Sequence, residues 1–162
     1  MGFYWQAVRW TDYLGMREKG FDKSWAIWKS TNDKMAKYEY WYDVAIVDFL
    51  SQRNQAFSEL EIYKISDTPQ YYWMAVAIVD DCGRRHRAFE ELKMYMENGH
   101  PQFYWNSVAV IDYLGQRDRA FIELKNIHPI IYWFSVAVVN YLGLRDKAFS
   151  ELQILDKKYD LL

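Results

Sequence analysis

Two kinds of ionisable residue recur in this sequence at one fixed offset. Asp12, Asp48, Asp80 and Asp112, with Asn140 as a fifth member, are each followed five residues later by an arginine: Arg17, Arg53, Arg85, Arg117 and Arg145. If each acid closes one helix and each arginine opens the next, both charges sit at the unfavourable end of their own helix dipole, and pairing across the turn would relieve them. That predicts a structural clamp built on Arg53, Arg85, Arg117 and Arg145, with Asn140 keeping only the hydrogen bond. The alternative leaves Asp48, Asp80, Asp112 and Asn140 as an acidic row for Lys or Arg of a partner. Beside the acids runs an aromatic column, Tyr13, Phe49, Tyr113 and Tyr141, broken by Asp81, and each unit begins with Tyr-Trp. Adjacent residues on a helix point about 100° apart, so one of each Tyr-Trp pair packs in the core and the other leans toward a groove or the next unit.

Little else here could carry a reaction. His86, His100 and His128 fall in turns at spacings that match no metal motif. Cys82 takes a leucine position and is expected to be a small core residue. Glu59, Glu91, Glu123 and Glu151 each lie one turn after a mostly basic column, as ordinary surface pairs do. There is no glycine-rich phosphate loop, nucleophile elbow or carboxylate pair outside the repeating columns. No catalysis, metal or cofactor is expected.

Positioning such columns requires a repeated element. Trp5, Trp41, Trp73, Trp105 and Trp133 follow one another at intervals of 36, 32, 32 and 28 residues, and valine stands three places after each. Arginine stands twelve after and phenylalanine sixteen after, as Phe21, Phe57, Phe89, Phe121 and Phe149. Self-similarity at this period is the mark of a stacked array, with units over 1–33, 34–67, 68–100, 101–128 and 129–162. The first half of a unit, such as YWNSVAVIDYL, is apolar on most sides and reads as an inner helix. Gly15, Gly83, Gly115 and Gly143, with Ser51 in the second copy, suit the left-handed residue that closes it. The second half, RDRAFIELKNI, carries one apolar stripe and reads as an outer helix. Breakers at 30–33, 66–69, 98–101 and 128–129 separate the units, with Pro69, Pro101 and Pro129 fitting the first turn of the next helix. The expected fold is all-α: ten antiparallel helices in one domain, an α-solenoid in which stacking buries what one pair cannot. The first copy, with Arg9, Trp10, Thr11, Gly20 and Ser24 in place of the usual residues, reads as a cap.

Composition narrows the function classes. With 51% apolar residues, 8 Trp and only 3 Pro, the chain is a folded one. A net charge of −2 gives no field to collect phosphate backbones, so nucleic acid is disfavoured as a partner. One cysteine fits a reducing compartment, and with no secretory leader and no long apolar run a soluble, cytoplasmic protein is expected.

In the fourth copy Trp105, Val108 and Ala109, the Gly115 to Ala120 turn and Leu124 stand where the tetratricopeptide repeat has its W, L, G, inter-helix turn and second aromatic; Asp112 takes that family's tyrosine position. The chain resembles that family along its whole length. The resemblance implies a right-handed superhelical array and a noncatalytic protein-binding scaffold whose first helices line a concave groove for a peptide or helix. On that face it would place Trp41, Trp73, Trp105, Trp133, Tyr113 and Tyr141 with the acidic row. A second reading is a structural, self-assembling or engineered array, associating weakly through an uncovered stripe on the last helix. A third follows from the junction LKMYMENGHPQ, which is similar to the RNA-binding pentatricopeptide repeat; its base-reading column would be Gln6, Tyr42, Met74, Asn106 and Phe134, which share no common chemistry.

Overall fold

The computed structural model describes residues 2–62, 64 and 69–159; the expected breaker at 66–68 and the chain end at 160–162 lie outside them. Among the described residues there are ten α-helices and no strand. They form five hairpins: α1 (Phe3–Thr11) with α2 (Arg17–Thr31), α3 (Lys34–Val47) with α4 (Arg53–Ile62), α5 (Gln70–Val79) with α6 (Arg85–Glu97), α7 (Gln102–Ile111) with α8 (Arg117–Ile127), and α9 (Pro129–Val139) with α10 (Arg145–Lys158). This is the expected all-α helical repeat array. None of the described helices is long and apolar enough to cross a membrane.

Each hairpin turns in the same way. Asp12, Asp48, Asp80, Asp112 and Asn140 adopt φ of 53–56°, which acidic and amide side chains tolerate better than most. Two residues on, Leu14, Leu50, Cys82, Leu114 and Leu142 do so as well, and the glycine or Ser51 that follows completes the reversal. This geometry swings the leucine column out beyond the end of the first helix, where those four leucines are 68–75% exposed. Cys82 is therefore exposed too, and its expected place in the core is corrected.

The core lies between the two helix layers. Val8, Val44, Val76, Val108 and Val136 from the first helices meet Leu60, Leu92, Leu124 and Leu152 from the second, all essentially sealed from solvent. Neighbouring first helices pack in order, α1 on α3, α3 on α5, α5 on α7 and α7 on α9. Then α9 packs on α1, and α10 packs on α1 as well, so the array closes into a ring.

The closing junction repeats the others. Phe21 stacks flat on Phe49 of the next unit, Phe89 on Tyr113 and Phe121 on Tyr141, with centroids 3.7–3.9 Å apart. Phe149 of the last unit stacks in the same manner on Tyr13 of the first, at 3.8 Å. The Tyr141 hydroxyl donates to Asp118 at 2.7 Å, and the Tyr13 hydroxyl donates to Asp146 at 2.9 Å, one unit apart in each case around the ring. Asp156 adds two bonds at the closure, accepting from the Phe3 and Tyr4 backbone N–H groups at the open amino end of α1. The expected cap is thus revised, since the terminal units pack on each other; of the expected uncovered stripe at the end of the last helix, Ile154 and Tyr159 are exposed and residues 160–162 lie outside the described ones. One junction is weaker. Phe57 faces Asp81 where the other copies have an aromatic ring, and it is 8% exposed against 1–2% for its counterparts.

Candidate functional site

The columns that looked functional are used up by packing. Trp41, Trp73 and Trp105 are buried and Trp5 and Trp133 half-buried. They lie against the second helix of their own pair, with Arg87 over Trp73, Arg119 over Trp105 and Lys147 over Trp133 at 5.2–5.7 Å. Tyr113 and Tyr141 are the junction stacks described above.

The acid and arginine columns do form a clamp, through different atoms from those expected. Asp48, Asp80, Asp112 and Asn140 each accept the backbone N–H of Arg53, Arg85, Arg117 and Arg145 at 2.9–3.1 Å. Each guanidinium turns back to two carbonyls in the last turn of the first helix; Arg117 donates from Nε to Ala109 at 2.7 Å and from Nη2 to Val110 at 2.9 Å. Each charge sits at the wrong end of its own helix dipole and the right end of its neighbour's. The carboxylate caps a helix start and the guanidinium caps a helix end, so no direct ion pair is needed. Asn140 serves as well as aspartate because the capping bond needs only a side-chain oxygen.

None of these columns lines the cavity on the ring axis. That cavity, of about 330 Å³, is walled by the position two before each tryptophan (Phe3, Glu39, Tyr71, Phe103, Ile131) and the position one after it (Gln6, Tyr42, Met74, Asn106, Phe134), with Gln102. Residues three apart share one helix face, so every first helix turns the same face inward. In a closed ring the five faces converge on one space instead of lying along a track.

Trp10 lies one helical turn deeper than Gln6 and meets Phe134 and Tyr42 edge-on at 5.1 and 5.5 Å. Its indole N–H and the Gln6 amide donate to Asp43 Oδ1 at 2.7 and 3.1 Å, while Arg9 Nε donates to Asp43 Oδ2 at 2.7 Å. Arg9 and Asp43 are 1% and 0% exposed. Gly20 makes the room: a Cβ there would come within 2.8 Å of Arg9 Cγ. In the other copies the place of Arg9 is alanine (Ala45, Ala77, Ala109, Ala137), and so is that of Gly20 (Ala56, Ala88, Ala120, Ala148). The place of Asp43 is Ala7, Ala75, Ser107 or Ser135. The first copy's departures therefore build one buried polar device beneath the cavity. A buried ion pair of this kind is seldom a net gain in stability over apolar packing.

Among the described residues Glu39 is the one carboxylate of the wall. Burial raises its pKa from 4.5 to about 7, with the chain's amino terminus and then Arg9 opposing the rise and Asp43 and Asp33 adding to it. Tyr42 and Tyr71 are likewise raised, first by burial and then by Asp43 and Glu39 respectively among the carboxylates. The Tyr42 side chain is 2% exposed and its hydroxyl has no hydrogen-bond partner among the described residues. Asn106 Nδ2 donates to Ser135 Oγ at 2.8 Å, which fixes the amide against the wall. Away from the cavity, His86 bonds the Tyr113 hydroxyl and His128 accepts the Ile131 N–H at the start of α9. Among the described residues no three His, Cys, Asp or Glu side chains come together as a metal site would require.

The chain matches no protein-family model, no curated protein and no solved structure at a significant level. The site must therefore be read from its own chemistry. The uniform columns drew attention in the sequence because they repeat, yet repetition is what a shared packing job produces. The signal for the cavity was the opposite one, a column of Gln, Tyr, Met, Asn and Phe at equivalent places in otherwise matching copies.

Proposed function

We propose that this chain is a noncatalytic binding module that receives a compact, partly aromatic group in the cavity on its ring axis. The observation that carries the reading is the contrast between columns. Five first helices with nearly identical buried faces present five different pairs of residues to one 330 Å³ space. A single asymmetric ligand at the centre of a quasi-symmetric ring calls for that difference, whereas packing alone does not. The wall also has the usual composition of a ligand site, mostly apolar and aromatic with a few polar groups to orient the guest.

The likeness to tetratricopeptide repeats supports a binding role over a catalytic one. In that family a peptide lies along an open groove. Here a protein partner would enter end-on, by one projecting side chain. A single exposed thiol fits residence in the cytoplasm, which is part of the same proposal.

Ligand-observed NMR with a library of small aromatic fragments tests the reading. Wild type should bind a subset of fragments, and Met74→Trp, which fills the cavity from one wall, should lose them while keeping its helical circular dichroism. A second plug, Asn106→Phe, guards against a folding defect in the first. Fragments that bind both plugged variants as well as wild type, or a library with no binder, would overturn the proposal.

A further inference from the structure

We propose that the axial cavity selects an organic cation, an ammonium or guanidinium borne on an apolar or aromatic body, with Glu39 as its counter-charge. This rests on the reading of the cavity as a binding site and names the class of its ligand.

The first argument is the charge inventory of the wall. Among the described residues Glu39 is its one acidic side chain, and no lysine, arginine or histidine is part of it. The deeper carboxylate, Asp43, is already neutralised by Arg9 at 2.7 Å, and Arg9 is turned away toward the Gly20 carbonyl. The wall's described side chains therefore carry one acid and no base, and the charges acting against the rise of its pKa are the chain's amino terminus and then Arg9. A neutral guest would desolvate that acid without adding a charge to balance it, and an anionic guest would be repelled by it.

The second argument is that packing does not ask for Glu39. At the same place the other copies carry Phe3, Tyr71, Phe103 and Ile131, all apolar or aromatic, facing the same space. A glutamate substituted into a ring of such residues raises the cost of an empty cavity and lowers that of one holding a positive charge.

The third is the aromatic wall. Phe3, Tyr42, Tyr71, Phe103 and Phe134 surround the space, and Tyr42 and Tyr71 lie tilted against one another with centroids 5.2 Å apart. Aromatic faces attract cations most strongly where water is excluded, which is how ammonium groups are recognised in aromatic cages. The amino ends of α5, α7 and α9 open near the same mouth and pull the other way, favouring negative charge, so an anionic probe belongs in the test.

Titration calorimetry at pH 8 with three near-isosteric probes decides the matter: 2-phenylethylamine, which is cationic there, 2-phenylethanol, which is neutral, and phenylacetate. The amine should bind about ten-fold or more tightly than the alcohol, and phenylacetate should not bind. Glu39→Gln should bring the amine down to the alcohol's affinity and leave the alcohol unchanged; Phe103→Leu, which keeps the charge and removes a ring face, should weaken the amine more than the alcohol. Equal or tighter binding of the alcohol or of phenylacetate, or an amine affinity that Glu39→Gln leaves intact, overturns charge selection. If the alcohol still binds wild type and is lost in Met74→Trp, the cavity remains a binding site and only the cation inference falls. No heat with any of the three also overturns the inference, while the fragment screen reports separately on the cavity.

Discussion

Exchanging caps between helices, instead of pairing charges across the turn, makes a prediction that the Asp112 and Arg117 positions can decide. Arg117 makes two charge-assisted bonds to the carbonyls of Ala109 and Val110. At a half-buried site these are each worth about 1–2 kcal/mol, so Arg117→Ala should cost about 2–4 kcal/mol. Asp112→Ala loses the bond to the Arg117 N–H, about 1 kcal/mol, and forces alanine into a left-handed conformation at a further cost of about 1 kcal/mol. Asp112→Asn should cost less than about 0.5 kcal/mol, since Asn140 already makes the same bond in the last unit. The two side chains bind different partners, so the Asp112→Ala, Arg117→Ala cycle should give a coupling below about 0.5 kcal/mol. Urea unfolding followed by tryptophan fluorescence, with circular dichroism as the check on two-state behaviour, measures all four species. A coupling of about 1.5 kcal/mol or more, or an Asp112→Asn variant as unstable as Asp112→Ala, would refute the cross-capping account and restore the ion pair.

Three further outcomes are expected. Arg9→Ala alone strands a buried Asp43 and should cost about 3–5 kcal/mol, whereas the triple change Arg9→Ala, Gly20→Ala and Asp43→Ala should return to within about 2 kcal/mol of wild type in the same urea assay. Asp81→Tyr with Arg84→Gln, which installs the residues found at positions 113 and 116, should cover Phe57 and raise stability by about 0.5–1.5 kcal/mol in thermal melts. Glu39 is raised in the folded state to about 7 from 4.5, so its contribution to stability is fully present below pH 4.5 and is lost as pH rises through 7. Wild type should therefore lose stability relative to Glu39→Gln between those limits, by at most about 3 kcal/mol; parallel unfolding curves at pH 4.5 and pH 8 with no difference between the two proteins would contradict the assignment.

The repeat unit was legible residue by residue. The tyrosine-tryptophan start, the valine three places on and the arginine at twelve fixed the two helices and their turn, because those features act within one hairpin. Cys82 is exposed although the apolar leucine column it stands in has the pattern of a core position. The turn's three left-handed residues, which put that column in solvent, are an unusual conformation that leucine itself does not announce. The spacing of Asp112 and Arg117 shows two charges that need relief but not the atoms that supply it, since a guanidinium at that distance reaches either a carboxylate or the carbonyls beside it.

By itself the sequence determined five copies of a helix hairpin, their buried faces and the sites of their turns, all set by contacts within a unit or with the next one. Tertiary structure alone decided that the fifth unit meets the first. Closure depends on the sum of small rotations at every junction, each about a fifth of a circle in a five-unit ring, and no local residue reports that sum. The axial cavity exists only once the ring is shut. Phe3 and Phe134 became neighbours through that closure, although nothing in their spacing along the chain brings them together.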